Sequence, residues 1–392
     1  MREGPALDDL TLPRGFRDIL PTEARELHAI ERTLMATFET YGYVPLEPPS
    51  VEFAAAAATV PARRMMRFLD QGDLLALRPD VTTAIARVVA QRYRETRGAL
   101  RLSYFTTVFR QERSMRGSER EYDQAGVELI GASGTLADAE ALALLCESLT
   151  AVGLRSFTIE VGHVGVVRAL FDGLPAASLE SVLGHLRDAD HVAAFHAAEE
   201  GGLSGDRLDR VRRGLAARGP GVEKIDLPEA MELREAIHLA RDIFPGEPLW
   251  GVPDLAVIPA LPYYTGLVFE VVSPHVGAPI AMGGRYDGLL TDRPATGFGI
   301  AIPHLHQALV AQGWSLPQTD PIVTLDGASS RDVARMAAAL RREGLSVALG
   351  PPAETAGRAV VGIRVLDEKT VEHEGKTLSA SELARELRRN GA

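Results

Sequence analysis

Cysteine is nearly absent from this chain of 392 residues, in which Cys146 is the single example. One cysteine excludes an internal disulfide and any zinc site built on paired cysteines. Cys146 follows a helical pattern with Leu142, Leu145 and Leu149 near the same face. This spacing indicates a small core residue rather than a reactive thiol.

Metal-ligating and membrane-spanning patterns are also missing. His191 and His196 are five residues apart, off the i,i+4 spacing that two ligands on one helix need, so no metal or other cofactor is expected. No apolar run reaches the length of a membrane span, and the N-terminus carries acids without an apolar stretch. We therefore expect a cytoplasmic protein that does not contact a membrane.

Positive charge is scarce, since the chain has 42 basic and 53 acidic residues and a net charge of −11. This balance disfavours broad nucleic-acid binding. Hydrophobic residues make up 46% of the chain, enough to build several cores. We expect a core region over residues 1–320 with a helical insertion at about 166–245, and a small α/β domain over 321–392 in which strands and helices alternate.

The strongest local signal is a predicted antiparallel hairpin, formed by strand-like runs at 100–110 and 121–131 around a polar loop. Side chains alternate along a strand, so one face of the second strand carries an aromatic ring, an amide and a carboxylate around a glycine. These residues are Tyr122, Gln124, Gly126 and Glu128. Arg110 ends the preceding strand and brings a guanidinium suited to a carboxylate or phosphate. A ligand-binding floor and a solvated sheet face with cross-strand pairs are both compatible with this pattern.

A second signal lies at the turn Arg78-Pro79-Asp80-Val81-Thr82, before a helix predicted from about Thr82 to Arg94. Its carboxylate and hydroxyl can hold an ammonium group, while simple helix capping, by Thr82, is the alternative. Two further glycine-containing segments, at 263–266 and 283–288, fit no phosphate-loop pattern.

Taken together and in order, these segments resemble the core of class II aminoacyl-tRNA synthetases, and within it histidyl-tRNA synthetase. The resemblance covers roughly residues 10–315. The matching pieces are LPRGFRDILP (12–21), YGYVPLEPPSVE (41–52), LRPDVTTAIAR (77–87), VFRQERSMRGSEREYDQAGVELIG (108–131), LPYYTGLVFE (261–270), GGRYDGL (283–289) and ATGFGIAI (295–302).

The resemblance implies an α+β fold, in which helices flank an antiparallel sheet, and a dimer formed partly through the segment around Pro49. It also implies a histidine pocket, in which Glu128 and Tyr264 pair with the imidazole nitrogens. The α-amino group would meet Asp80, Thr82 and Gln124. The other positions implied for histidine are Tyr263 and Arg110. A vestigial nucleotide site is implied at Arg110, Glu112 and Tyr122.

Two departures from the synthetase pattern stand where that enzyme has arginines. Pro259 replaces the arginine specific to the histidine enzyme, and His304 replaces the one that grips the ATP γ-phosphate. In addition, Asp80 replaces the usual glutamate. Adenylation depends on positioned charge, so each lost cation is expected to cost about 3–4 kcal/mol of transition-state stabilisation. The sequence thus predicts no catalytic residues.

A retained histidine pocket beside a broken ATP site resembles the regulatory subunits of ATP phosphoribosyltransferase. The resemblance implies L-histidine as effector and a separate short-form catalytic subunit as partner. It also implies a homodimer within a hetero-oligomer, expected to be a hetero-octamer, and the first step of histidine biosynthesis. tRNA binding is not expected. A divergent histidyl-tRNA synthetase is the alternative, and a free-standing histidine-binding protein is a third hypothesis.

Overall fold

The protein forms two compact units in the computed structural model. One comprises residues up to Asp18 together with Leu27–Trp314, and the other comprises Ile19–Glu26 and Ser315–Ala392. The C-terminal part of the second unit begins at Ser315, whereas the sequence places the boundary at 320 and assigns residues 19–26 to the core region. The structure describes residues 11–57, 60–111, 119–188, 190–245, 250–258, 261–317, 321–350 and 358–390.

Up to Trp314, helices and strands are interspersed. The helices are α1 (Pro21–Thr40), α2 (Val81–Arg92), α3 (Thr135–Ala151), α4 (Val164–Leu170), α5 (Ala176–Arg187), α6 (His191–Glu200), α7 (Gly205–Leu215), α8 (Pro228–Ile243) and α9 (Ile302–Ala311). The strands are β1 (Val44–Pro45), β2 (Val51–Phe53), β3 (Arg67–Asp70), β4 (Asp73–Leu77), β5 (Leu100–Phe109), β6 (Glu121–Ile130), β7 (Thr158–His163), β8 (Trp250–Pro253), β9 (Leu267–Ser273), β10 (Val276–Arg285) and β11 (Ala295–Ala301).

An eight-stranded sheet in the order β1-β5-β6-β11-β10-β9-β7-β8 organises this unit. The two outer pairs, β1 with β5 and β7 with β8, are parallel, and the inner pairs are antiparallel. The predicted hairpin is present, with Thr106 opposite Gln124 in β5 and β6. The strands β2, β4 and β3 form a separate small sheet.

One face of the large sheet carries the main hydrophobic core. Helix α1 contributes Leu27, Ile30, Leu34 and Phe38, which recur at helical spacing and are buried against it. Helix α3 is buried on nearly all sides, Cys146 included, which agrees with its many alanine and leucine residues. Because this face is fully packed, any ligand must approach the sheet from the opposite face.

The stretch predicted as a helical insertion contains α4 to α8. Helices α4 to α7 enclose a hydrophobic cluster of their own around Phe171, Leu183 and Leu208. Helix α8 instead packs on α3 and joins the main core through Leu233 and Ile237. The inserted stretch therefore combines a self-contained helical cluster with a helix that belongs to the core.

The second unit contains strands β12 (Ile322–Gly327), β13 (Ser346–Leu349), β14 (Val360–Val365), β15 (Thr370–His373) and β16 (Lys376–Ser379), with helices α10 (Ser330–Arg342) and α11 (Ala380–Asn390). Its sheet has the order β13-β12-β14-β15-β16. Strands β12 and β13 are parallel and connected through α10, so the expected βαβ arrangement is present. Both helices bury apolar faces, including Leu340 and Leu383, in its core.

None of the helices in the described part of the chain has the length and apolar character of a membrane span. The described residues also hold no cluster of three or more histidine, cysteine, aspartate or glutamate side chains able to bind a metal ion.

Candidate ligand-binding site

The site lies on the face of the large sheet opposite the main core. Alternation along β6 directs Ala125, Val127 and Leu129 into the core, so the even-numbered residues Gln124, Gly126 and Glu128 face the other way. On the neighbouring strand β11, Gly297 lies opposite Glu128, and Gly299 lies opposite Gly126. The residues predicted for one face of the hairpin therefore do share one face.

Glycines in β6 and β11 make room for the polar side chains on the floor of the site. A Cβ at Gly126 would overlap the carbonyl oxygen of Phe298 and the hydroxyl of Tyr104. A Cβ at Gly297 would overlap the Glu128 carboxyl group and the Val127 carbonyl oxygen. The Tyr104 hydroxyl and the Glu128 carboxyl group thus lie directly against these glycines, and a larger residue at either position would displace them.

Glu128 is the central polar group of the site and is 1% exposed. Thr82 donates its hydroxyl hydrogen to Oε1 at 2.7 Å, and Tyr286 donates to Oε2. Burial raises the pKa of Glu128 to about 8, although these two hydrogen bonds limit the rise. A carboxyl group with two donors in place still has unused lone pairs, and it can therefore accept from a ligand.

Gln124 supplies a second acceptor on the same floor. Its Oε1 atom is buried and accepts no hydrogen bond from any described residue. The other side of its amide lies beside Gly299. Since buried polar atoms in folded proteins almost always have partners, this oxygen is suited to a donor that a ligand brings.

The first turn of α2 forms one wall of the site, and here the capping prediction for Thr82 is wrong. Asp80 is the N-cap: its carboxylate accepts from the Thr83 backbone N–H at 3.0 Å and from the Thr83 hydroxyl at 2.9 Å. The hydroxyl of Thr82 is bound to Glu128 instead. Both residues are suitable caps, and the helix begins one residue earlier than the sequence suggested.

Arg78 supports this wall from below and is fully buried. Its guanidinium donates to the carbonyl oxygens of Pro48 and Pro49, to the Thr106 hydroxyl, and to the Thr107 carbonyl at 2.7 Å. These bonds tie the proline-rich segment to β5 and set the position of the turn that leads to Asp80.

Arg110 and Tyr122 lie side by side at the open end of the hairpin. The guanidinium carbon of Arg110 is 5.8 Å from the centroid of the Tyr122 ring, and its Nε donates to the Pro79 carbonyl at 3.0 Å. The cation and the aromatic ring expected for a nucleotide site are thus adjacent. Glu112, the third residue predicted for that site, lies outside the described residues.

Three tyrosines close the other side of the site. The rings of Tyr263 and Tyr264 lie 4.8 Å apart, and the Tyr263 ring meets the Tyr286 ring edge-on at 5.9 Å. All three pack in a cluster with α2 and β5. Burial raises the pKa of each phenol, so these hydroxyls remain able to donate hydrogen bonds at neutral pH. Pro259, just before this segment, lies outside the described residues.

The segment around Arg285 contains site residues that sequence reasoning missed. Arg285 makes a buried bidentate ion pair with Asp138, with Nε–Oδ2 and Nη2–Oδ1 distances of 3.1 and 2.9 Å. Burial raises the pKa of Asp138 to about 6 even though Arg285 opposes the shift. The pair fixes the end of β10 and thereby the next residue, Tyr286. The motif GGRYDGL could have pointed to Arg285 and Tyr286 as site residues. Tyr104 was also missed, and it lies opposite Gly126 in the hairpin.

His304 lies in the first turn of α9. Its Nδ1 atom is 2.8 Å from the carbonyl oxygen of Pro279 in β10. The imidazole is engaged with the sheet at the position where the resemblance places the arginine for the ATP γ-phosphate.

The site as a whole combines acceptors for an ammonium group, a polar recess for a small ring, and Arg110 as a nearby cation.

This sheet, with its floor of glycines, a buried glutamate and a tyrosine wall, defines a protein of the histidyl-tRNA synthetase class. A sequence profile for histidyl-tRNA synthetase matches residues 15–305. The α+β fold predicted from the sequence is confirmed by a structure from Bacillus halodurans, described as an ATP phosphoribosyltransferase regulatory subunit/histidyl-tRNA synthetase. It has a TM-score of 0.79 and 27% identity, and the match covers 92% of this chain and 99% of that one.

Relatives with higher sequence identity show which family within the histidyl-tRNA synthetase class this chain belongs to. An ATP phosphoribosyltransferase regulatory subunit from Moorella thermoacetica is 37% identical over 370 residues, covering 87% of this chain and 92% of the relative. One from Symbiobacterium thermophilum is 36% identical, covering 86% and 90%. The chain belongs to the family of ATP phosphoribosyltransferase regulatory subunits, as the sequence predicted.

Proposed function

We propose that this chain is a non-catalytic cytoplasmic subunit that binds L-histidine in the described site and controls a separate short-form ATP phosphoribosyltransferase catalytic subunit. In this account the chain forms a homodimer within a hetero-oligomer and restrains the first step of histidine biosynthesis when histidine accumulates. Control requires histidine to bind one state of the complex more tightly than another.

The observation that carries the proposal is the set of acceptors around Glu128. Free histidine brings an ammonium group, a carboxylate and a ring with one N–H donor and one acceptor nitrogen. Gln124 Oε1 and the Asp80 carboxylate suit the ammonium group, and Arg110 suits the carboxylate. Glu128 and Tyr264 then provide an acceptor and a donor for the two ring nitrogens.

The region expected to hold the ATP γ-phosphate favours regulation over aminoacylation. His304 is bound to a backbone carbonyl and replaces an arginine. An imidazole, unlike a guanidinium, carries no permanent charge to offer a phosphate. Loss of one preorganised cation costs about 3–4 kcal/mol in comparable sites, or a factor of hundreds in rate.

Reconstitution tests the proposal. The chain is co-expressed with a short-form catalytic subunit, and phosphoribosyl transfer from PRPP to ATP is measured for each protein alone and for the mixture. We expect the two to co-purify and the mixture to be active, with L-histidine lowering its rate. Histidine-dependent ATP–pyrophosphate exchange by this chain alone at synthetase-like rates would contradict the proposal and support an active synthetase.

A further inference from the structure

Tyr286 is placed to govern how Glu128 meets a ligand. We propose that Tyr286 is a positioning residue that determines specificity, because its hydroxyl keeps the Glu128 carboxylate oriented as an acceptor for a ring N–H of a neutral imidazole. This inference rests on the proposed function, because it concerns the same pocket and the same ligand.

The hydrogen bonds around Glu128 define its role. Thr82 donates to one oxygen and Tyr286 donates to the other. With hydroxyl donors on both oxygens, the group is arranged as an ionised acceptor, and its remaining lone pairs suit a third donor. A ring nitrogen that carries hydrogen fits this requirement, whereas a ring without an N–H does not.

The position of Tyr286 is itself tightly determined. Its backbone N–H donates to the Ala295 carbonyl at 2.8 Å, which joins the ends of β10 and β11. The preceding residue, Arg285, is locked by Asp138, and the ring meets Tyr263 edge-on. The hydroxyl therefore has little freedom to leave Glu128, and the orientation exists before a ligand arrives.

Titration of Glu128 supplies a measurable consequence. The ionisable groups around it are Asp80 at the start of α2, Tyr104 on β5, and the tyrosines at 263 and 264. Burial raises the pKa of Glu128 to about 8, and the Tyr286 hydroxyl lowers it by stabilising the ionised form. Binding of a neutral ring to ionised Glu128 thus releases a proton below pH 8, and affinity increases as the pH rises toward 8.

The test compares Tyr286→Phe with the wild-type chain by calorimetric titration of L-histidine at several pH values between 7 and 9. Removing the hydroxyl should weaken binding roughly tenfold or more at pH 7.5. It should also move the rise in affinity to higher pH, because the pKa of Glu128 increases. Thr82→Val removes the other hydroxyl and should move the rise in the same direction.

Tyr43→Phe is the matched control. Tyr43 is also buried and donates its hydroxyl hydrogen to a glutamate, Glu140, at 3.1 Å, but it packs in the main core on the opposite face of the sheet. Deleting this hydroxyl should leave both the affinity for histidine and its pH dependence unchanged. A shift as large as that of Tyr286→Phe would show that the effect does not come from the pocket.

Two results would overturn the inference. One is wild-type affinity in Tyr286→Phe, and the other is a weaker affinity whose pH dependence has not moved, which would indicate a merely structural role. Both leave histidine binding by the wild-type chain, and hence the proposed function, intact. Failure of the wild-type chain itself to bind histidine would contradict the proposed function and the ligand assigned to Glu128 with it.

Discussion

Glu128→Gln removes a buried titrating group while nearly preserving the volume of the side chain. Burial raises the pKa of Glu128 from its ordinary value of 4.5 to about 8 in the folded chain. A group with a raised pKa binds more protons when folded, so its contribution to stability is present below pH 4.5 and is lost as the pH rises toward 8. At about 1.4 kcal/mol for each pKa unit, the loss amounts to several kcal/mol, with a ceiling of about 5 kcal/mol above pH 8.

Glutamine resembles the protonated carboxyl group, since it also combines one acceptor oxygen with a donor. We therefore expect Glu128→Gln and the wild-type chain to have similar free energies of unfolding at pH 5. The variant should become progressively more stable than the wild type up to pH 8.5. Urea denaturation followed by tryptophan fluorescence is suitable, because residues 250 and 314, the two tryptophans, both lie in the first unit.

Glu121→Gln provides the control on the same strand, where the side chain is exposed. Its difference from the wild type should stay within about 0.5 kcal/mol at every pH. A difference between Glu128→Gln and the wild type that does not change with pH would refute the reasoning, because it would mean that Glu128 titrates alike in the folded and unfolded chain.

Three further predictions concern the floor, the buried ion pair and the start of α4. Gly297→Ala should abolish histidine binding, measured by calorimetry, and lower the free energy of unfolding by about 1–3 kcal/mol, measured by urea denaturation. The control is Gly277→Ala, where there is open space for a side chain, and it should change neither quantity. Asp138→Ala removes the buried carboxylate of the Arg285 pair but leaves Asp287 3.2 Å from that guanidinium, so it should cost about 2–3 kcal/mol by urea denaturation. A loss below about 1 kcal/mol would count against the Arg285–Asp138 ion pair. Burial lowers the pKa of His163 to about 4, so its contribution to stability is present above pH 6.5 and should fall as the pH drops toward 4. His163→Gln should lack this fall, which acid unfolding curves of the variant and the wild type would show. Identical curves for the two proteins would contradict the prediction.

Local periodicity predicts the floor of the site well. Alternation over 121–130 is a property of the strand itself, so the shared face of Gln124 and Glu128 follows from sequence alone. The hydrogen-bond partner of Glu128, Tyr286, does not follow from the sequence. Tyr286 is 158 residues away, and it reaches the carboxylate only through the pairing of β6 with β11 and of β11 with β10. That register depends on tertiary packing, which no local pattern encodes.

The same limit applies to charged groups. Arg285 and Asp138 are separated by 147 residues. Although Arg285 lies in a motif, no local pattern pairs it with Asp138, since arginine and aspartate are usually exposed. At the start of α2 the difficulty is different, because Asp80 and Thr82 are both good caps. The backbone bond from Thr83 to Asp80 decides between them, and sequence preferences differ too little to do so.

Inhibition of the reconstituted complex by L-histidine tests the central claim most directly. Phosphoribosyl transfer is measured over a range of histidine concentrations, with the catalytic subunit mixed with the wild-type chain or with Glu128→Gln. At a pH slightly above 8, where Glu128 is largely ionised, the account predicts that histidine inhibits the wild-type mixture. The variant should need at least tenfold more histidine for half-maximal inhibition, because a ring N–H loses its charged acceptor. Equal histidine concentrations for half-maximal inhibition of the two mixtures would contradict it.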